Sequence, residues 1–325
     1  MQKANNVIPT GDLQERMVQI KTGARLHFGL LDSVEPFGGL GVMVQSPTTK
    51  VTVTTSEVFS CPTPYQERFR EIAKSILTLT ESVTLPAVRL DVDSNAEPHC
   101  GLGSGTQLSL AAAEAMLMFL GLDCSAEHLA LAIAGRGKRS AVGIHGYFGG
   151  GMVFEAPSSG STDLNPVISR TALPSTWCVA VLKPSLEIGQ VFGLSEVEKF
   201  SKLAAAPERL RESLFELAAD HVVPAAQRGD FIGFSESLQT YNRTSGQLFA
   251  SIQGGPYNGL EVTSLIGWLV ERGVAGVGQS SWGPGVFAWF ESYEHAETII
   301  KRLPEGVQVL TLTHPQDQPR QLAAL

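Results

Sequence analysis

Residues 98–106 read Pro-His-Cys-Gly-Leu-Gly-Ser-Gly-Thr, and an apolar run, Gln107-Leu108-Ser109-Leu110-Ala111-Ala112-Ala113-Glu114-Ala115-Met116-Leu117, follows without a break. A glycine-rich turn therefore enters a helix directly. The glycines allow a sharp bend and a close approach to a ligand, and Ser104 and Thr106 are placed to cap the helix. The first helical amides and the positive end of the helix dipole then face the loop, which suits a phosphate. No Lys-Ser or Lys-Thr pair follows the glycines, so this is not a Walker A loop. The glycine spacing does not fit a dinucleotide fingerprint either. Two readings stand on the loop alone: a phosphate cradle, or a plain helix N-terminus whose glycines serve only the turn.

The helix is apolar nearly all round, which predicts a buried central element. The stretch 108–122 is too short to cross a bilayer and contains Glu114. With 325 residues, 43% of them hydrophobic and 17% charged, the chain has material for one large core or two ordinary ones. A formal net charge of −8 argues against non-specific binding of nucleic acid or anionic membranes, so any anion site must be local. The four cysteines (Cys61, Cys100, Cys124, Cys178) are scattered and read as reduced thiols rather than a disulfide framework or a zinc site. Residues 1–17 hold no apolar signal core, and the expected location is cytoplasmic.

Along the chain the expected elements alternate. Residues 1–15 read as a polar tail. Strands are expected at 18–28, 41–45, 51–55, 87–92, 151–155, 177–183, 285–290 and 307–313. Helices are expected at 65–80, 108–122, 126–134, 262–272 and 296–303, with a long helical region at 195–249. The Ser/Gly/Pro/Asp-rich segment 157–166 is a linker candidate. Mixed elements without strict βαβ repetition predict an α+β fold of two lobes, divided as 16–170 and 171–325.

Three further clusters carry polar residues that a plain core would not choose. In Gly23-Ala24-Arg25-Leu26-His27-Phe28-Gly29-Leu30-Leu31-Asp32, strand periodicity puts Arg25 and His27 on one face and Leu26 and Phe28 on the other. That face is either a site for an anion and a proton, or a solvated face with Asp32 capping the turn. In Gly135-Arg136-Gly137-Lys138-Arg139-Ser140-Ala141-Val142-Gly143-Ile144-His145-Gly146, a helix C-terminus accounts for Lys138. It accounts poorly for Arg136, Arg139 and His145 together. In Gly276-Val277-Gly278-Gln279-Ser280-Ser281-Trp282-Gly283-Pro284-Gly285, a small-residue loop either lines a pocket with N–H donors or forms a tight turn with Trp282 packed for burial.

The Pro-x-x-Gly-Leu-Gly-Ser-Gly-Thr loop and its helix resemble the second motif of the GHMP kinase superfamily, and the loop at 276–285 stands where that superfamily has its third. Within the superfamily, segments 24–32, 37–41 (Phe-Gly-Gly-Leu-Gly), 135–146 and 278–284 together resemble the β-ribofuranosylaminobenzene 5′-phosphate synthase family. The resemblance spans about residues 20–313. It implies a two-lobed fold, with an N-terminal βαβ-type phosphate-binding domain and a C-terminal ferredoxin-like α/β sandwich. It also implies a step in tetrahydromethanopterin biosynthesis. Phosphoribosyl pyrophosphate condenses with 4-aminobenzoate or 4-hydroxybenzoate to a C-riboside, with loss of carbon dioxide and pyrophosphate. Homodimers are common in the superfamily, and a homodimer is the expectation here.

On that resemblance, Gly101, Leu102, Gly103, Ser104, Gly105 and Thr106 are assigned to pyrophosphate, with Mg²⁺ as the expected companion. Arg25, Arg136 and Arg139 are candidates for the benzoate carboxylate or the 5′-phosphate. His27 and His145 are candidate bases near the para substituent, and Asp32 completes the candidate catalytic set. Gln279, Ser280, Ser281, Trp282 and Gly283 are the candidate substrate pocket, in which Trp282 either stacks on the arene or simply packs. Many superfamily kinases carry an acid before a Gly-Gly pair, near the position of Ala141, yet no Asp or Glu occurs between Gly135 and Gly151. The loop also reads Ser-Gly-Thr where those kinases usually have Ser-Ser-Ala. An ATP-dependent small-molecule kinase and a non-catalytic phosphometabolite binder are the alternatives.

Overall fold

The computed structural model describes residues 16–35, 37–80, 82–158, 163–185 and 203–324. The expected tail at 1–15, part of the linker and the start of the long helical region lie outside these residues. Two sheets, antiparallel in every described pairing, carry the fold. The first is built on two long strands, β1 (Met17–Leu30) and β2 (Gly39–Thr55). Strands β3 (Val88–Ser94) and β4 (Met152–Glu155) pair with opposite halves of β2, and β5 (Val167–Thr171) pairs with β4. Both β3 and β4 run antiparallel to β2, so they run the same way, end to end along its free edge.

The sequence pattern predicts two strands here, at 41–45 and 51–55. The β1–β2 register explains the single strand observed. Thr22 faces Thr49 and Ala24 faces Val44, so residues 45–48 bulge out opposite Gly23. Pro47 sits in the bulge, where its missing N–H costs no ladder bond.

Between β2 and β4 come α1 (Gln66–Leu77), α2 (Ser104–Leu120), α3 (Ala126–His128), which runs on as a wide turn to Ile133, and α4 (Val142–Gly149). Helix α2 is the expected buried element: Leu108 through Leu117 are all buried, and Ala111, Ala112, Ala113 and Ala115 let it pack closely. The Gln107 side chain ties it to its neighbours, accepting from Thr22 Oγ1 at 2.9 Å and donating to the Gly143 carbonyl at 2.9 Å.

The second sheet has the order β7-β8-β6-β9, made of β6 (Cys178–Pro184), β7 (Val277–Gln279), β8 (Val286–Phe290) and β9 (Val307–Thr313). Helices α5 (Glu208–Glu216), α6 (Val223–Arg228), α7 (Phe231–Gln247), α8 (Ala250–Gln253) and α9 (Gly259–Val270) lie between β6 and β7 in sequence, and α10 (Tyr293–Ile300) lies between β8 and β9. This is the ferredoxin-like order. Alternation along β6 and β8 separates two cores. Cys178, Ala180, Leu182, Val286, Ala288 and Phe290 face α9 and α10. Val179, Val181, Phe287 and Trp289 face the other way, into a core shared with α7 and with Leu26 and Phe28 of β1. The helical region expected as one element breaks at Gly229-Asp230, where Asp230 caps α7 by accepting from the Gly233 amide at 3.0 Å. Strand β10 (Gln321–Ala324) returns to pair with β1 and so belongs to the first sheet.

Two side chains stitch the lobes together along β1. The Asn242 amide donates to the carbonyls of Phe28 at 2.6 Å and Gln279 at 2.9 Å, and its oxygen accepts from the Gln279 amide at 2.9 Å. Buried Ser280 accepts from the His27 amide at 3.0 Å and donates to the Gly101 carbonyl at 2.6 Å. Removing that hydroxyl strands a buried donor and a buried acceptor, at a cost of about 1–3 kcal/mol. Ser280→Ala is therefore expected to lower the urea midpoint without changing the slope. An unchanged midpoint would show that the two backbone groups find other partners.

Candidate active site

A cavity of about 270 Å³ opens between β1, the loop at 135–140, α7 and the loop at 276–285. The sequence places these elements far apart, and the glycine loop brings them together. The Arg25 amide donates to the Leu102 carbonyl at 2.9 Å, which lays the loop along β1. At Gly101, with φ +77°, a Cβ would stand 2.3 Å from the Ser280 carbonyl oxygen, so nothing larger fits. Gly103, with φ +68°, is the residue before α2, and no side chain caps the helix. The expected capping by Ser104 or Thr106 is thus corrected: the left-handed glycine starts the helix alone. The leading amides of Ser104 and Gly105 have no acceptor within the helix.

Cations gather at this helix start. A Cβ at Gly103 would lie 3.2 Å from Arg25 Cβ, and one at Gly105 would lie 3.6 Å from the Arg68 guanidinium and 3.7 Å from that of Arg136. Arg136 also donates to Ser109 Oγ of α2 at 3.1 Å. Burial, and then the nearby Arg68 charge, push the Arg136 guanidinium down to about 10. Burial lowers Arg68 as well. The helix dipole and three guanidinium groups meet where a multiply charged anion would be held. Thr106, Arg25, Arg136, Lys138 and Arg139 line the cavity, and no aspartate or glutamate stands among its described lining residues. Arg68 was missed by the sequence argument because it lies on α1, among ordinary surface charges.

His27 stands beside these cations, and Arg25 and His27 do share the cavity-facing side of β1. Its titration is held well below the usual histidine range, first by burial and then by the charges of Arg25 and Arg139, so the ring is neutral at pH 7. His27 Nε2 lies 3.1 Å from Ser140 Oγ. Behind Ser140 is Glu155 on β4, fully buried, whose carboxylate accepts from the Ala141 amide at 2.9 Å and from Asn165 Nδ2 at 3.2 Å. A carboxylate thus reaches Ala141 after all, from outside the 135–151 window in which sequence reasoning sought one. Its signal was a glutamate ending an otherwise apolar strand.

Several expected residues serve structure instead. Asp32 is buried outside the cavity. It accepts from the Ser33 amide at 2.7 Å and the Ala206 amide at 3.0 Å and pairs with Arg211 at 3.3 Å, so it caps the turn after β1. His145 points away, with Nε2 2.7 Å from the Asn165 carbonyl, and is not among the lining residues. The Gln279 side chain accepts from the Asn258 amide at 2.6 Å and donates to the Ser281 carbonyl at 2.8 Å, which shapes the loop. Leu102, Ser104, Ser280 and Gly283 are likewise buried loop framework. Gln279, Ser281 and Trp282 line the cavity, and the Trp282 ring sits 5.1 Å from that of Phe249, giving the cavity an aromatic wall. Among the described residues, no group of three or more His, Cys, Asp and Glu side chains is placed to hold a metal. No carboxylate stands among the described lining residues, so the cavity wall offers none of the side-chain ligands that Mg²⁺ takes beside phosphate oxygens. No described helix is long and apolar enough to cross a membrane.

Residues 68–153 match the family model for the GHMP kinases N terminal domain, and residues 222–308 match that for the GHMP kinases C terminal. The fold is similar to that of mevalonate-3-kinase from Thermoplasma acidophilum, with a TM-score of 0.65, 13% identity and coverage of 95% of this chain and 99% of that one. A β-ribofuranosylphenol 5′-phosphate synthase of Archaeoglobus fulgidus is 29% identical over 69% of this chain and 74% of its own length. Another, from Methanothermobacter thermautotrophicus, is 31% identical over 83% of this chain and 87% of its own length. Identity sustained over the greater part of both chains, on a fold of the same kind, makes this chain a member of the β-ribofuranosylphenol 5′-phosphate synthase family within the GHMP kinase superfamily.

Proposed function

We propose that this protein joins phosphoribosyl pyrophosphate to a para-substituted benzoate, releasing carbon dioxide and pyrophosphate and forming a C-riboside 5′-phosphate for tetrahydromethanopterin biosynthesis. The relatives' name specifies a phenol, which favours 4-hydroxybenzoate over 4-aminobenzoate. The observation that carries the reading is one cavity with a cationic end at the start of α2, an aromatic wall, and a neutral histidine beside the cations.

In this reading Arg25, Arg68, Arg136 and the leading amides of α2 hold the pyrophosphate. The sugar donor would be taken as its Mg²⁺ complex, the ion offsetting part of the phosphate charge. As pyrophosphate leaves with the bonding pair, positive charge develops at the anomeric carbon, and preorganised donors stabilise the departing oxygens. The arene lies against Trp282 and Phe249, and Lys138 or Arg139 meets its carboxylate. The ring carbon bearing that carboxylate attacks the anomeric carbon. His27 takes the para hydroxyl proton, so that the ring pushes electrons toward the new bond. Carbon dioxide then leaves without its bonding pair, which restores the aromatic ring, and the proton returns to the oxygen.

Incubation with phosphoribosyl pyrophosphate, Mg²⁺ and carboxyl-labelled 4-hydroxybenzoate or 4-aminobenzoate is expected to release labelled carbon dioxide, dependent on the sugar donor and indifferent to ATP. No release with either arene, together with ATP-dependent phosphorylation of a metabolite, would replace this reading with a kinase. Arg68→Ala is expected to raise the KM for phosphoribosyl pyrophosphate about tenfold to a hundredfold, the worth of one hydrogen bond to a charged group. The KM for the arene should move far less. Equal changes in both constants would place Arg68 outside the donor site.

A further inference from the structure

Ser281 has a backbone that suits glycine and a side chain that the fold does not use. The Gly283 amide donates to the Ser280 carbonyl at 3.0 Å, closing a turn over residues 280–283. Ser281 is the first central residue of that turn and has φ +56°, while Trp282, the second, has no positive φ. A turn with positive φ at its first central position alone is the type in which glycine is the rule there. Among the described residues, only His99 and Ser281 hold a positive φ without being glycine, and of the two only Ser281 lines the cavity.

Hydrogen bonds on both sides fix this conformation. The Ser281 amide donates to the His27 carbonyl at 3.2 Å, and the Ser281 carbonyl accepts from Gln279 Nε2 at 2.8 Å. The next carbonyl, that of Trp282, accepts from Asn258 Nδ2 at 3.0 Å. At 281 and 282 all of these use the main chain, so a glycine at 281 would keep every one of them and relieve the left-handed backbone. The Ser281 hydroxyl bonds to no described residue, and Ser281 is exposed along the cavity wall. A strained residue whose side chain the packing does not require, standing at the wall of a site, marks a group held for a ligand.

We infer that the Ser281 hydroxyl hydrogen-bonds the para substituent of the arene, and so selects benzoates that carry a hydroxyl or amino group there. The inference rests on the proposed reaction. In that reading the arene lies against Trp282 with its para group toward His27. Ser281 is bonded to His27 through the main chain and precedes Trp282 in the turn, so it stands between the two. A serine hydroxyl both accepts and donates. It accepts from the O–H of a bound phenol or the N–H of a bound amine. As His27 takes the phenol proton, the ring oxygen gains negative charge and the hydroxyl turns to donate to it. No bond breaks at Ser281, and its proton stays on Oγ. A benzoate with only hydrogen at the para position leaves this hydroxyl without its partner, which is how a site built around a hydrogen bond rejects an analogue that lacks it.

The test is a double-mutant cycle in which one side removes the Ser281 hydroxyl and the other removes the para substituent. Dissociation constants of 4-hydroxybenzoate and of benzoate are measured by calorimetry for the wild-type protein, Ser281→Gly and Ser281→Ala, with Mg²⁺ and pyrophosphate present. The wild type is expected to bind 4-hydroxybenzoate about tenfold more tightly than benzoate, the worth of one hydrogen bond. Each variant should lose most of that preference, by weakening for 4-hydroxybenzoate while holding benzoate as the wild type does. Both variants lack the hydroxyl, but only glycine relieves the backbone, so Ser281→Gly is expected to unfold at a higher urea midpoint than Ser281→Ala. Loss of the preference in the more stable variant cannot come from damage to the fold, and it supports the inference. An undiminished preference in the variants, or equal weakening for the two ligands, would overturn the inference and leave the proposed reaction standing. A wild-type protein that binds neither ligand would fail the proposed reaction, and the inference with it.

Discussion

One buried hydroxyl holds the three motif-bearing segments in contact. Ser280 Oγ accepts from His27 of β1 and donates to Gly101 of the glycine loop, while the Ser281 amide donates to the His27 carbonyl at 3.2 Å. The close approach works because Gly101 has no side chain to strike the Ser280 carbonyl. The start of α2, the polar face of β1 and the aromatic wall are thereby referred to one point. Asn242 makes the same kind of joint one strand position further along, to Phe28 and Gln279. Both joints are buried and fully hydrogen-bonded, the condition under which polar groups specify one arrangement of a core.

What this frame holds in place is electrostatically unfavourable until an anion arrives. Arg25, Arg68 and Arg136 converge on a helix start whose own dipole is positive. The lowering of Arg136 to about 10 and of His27 well below its usual range are two records of that crowding, with burial the larger cause in each. On the proposed reading, a pyrophosphate relieves the first. The second is useful as it stands, because only a neutral imidazole can act as a base. On that reading, burial together with the nearby cations keeps His27 unprotonated while the cations favour an anionic donor. Glu155, whose carboxylate accepts from the Ala141 amide, is kept out of the cavity.

Much of this was legible in the sequence. The glycine loop, the buried α2 helix and the polar face of β1 follow from residue type and period, because each is a local property. The strands expected at 177–183 and 285–290 form, and the structure buries both of their faces. Other features depend on tertiary context. Glycines at 143, 146 and 149 argue against a helix, yet α4 forms there, with Gly146 against Met43, where a side chain would collide. Asp32 and His145 are chemically plausible catalysts that the fold commits to backbone groups and, for Asp32, to Arg211. Arg68 and Glu155 carry no local mark of function; only the packing of α1 on α2 and of β4 on β2 brings them to the site.

A crystal structure with phosphoribosyl pyrophosphate, Mg²⁺ and a non-decarboxylating analogue of the benzoate tests the central claim most directly. The account predicts pyrophosphate on the leading amides of α2, within hydrogen-bonding distance of Arg68 and Arg136, and the arene against Trp282 with its para substituent toward His27. Pyrophosphate bound elsewhere, or an arene whose para substituent faces away from His27, would contradict it.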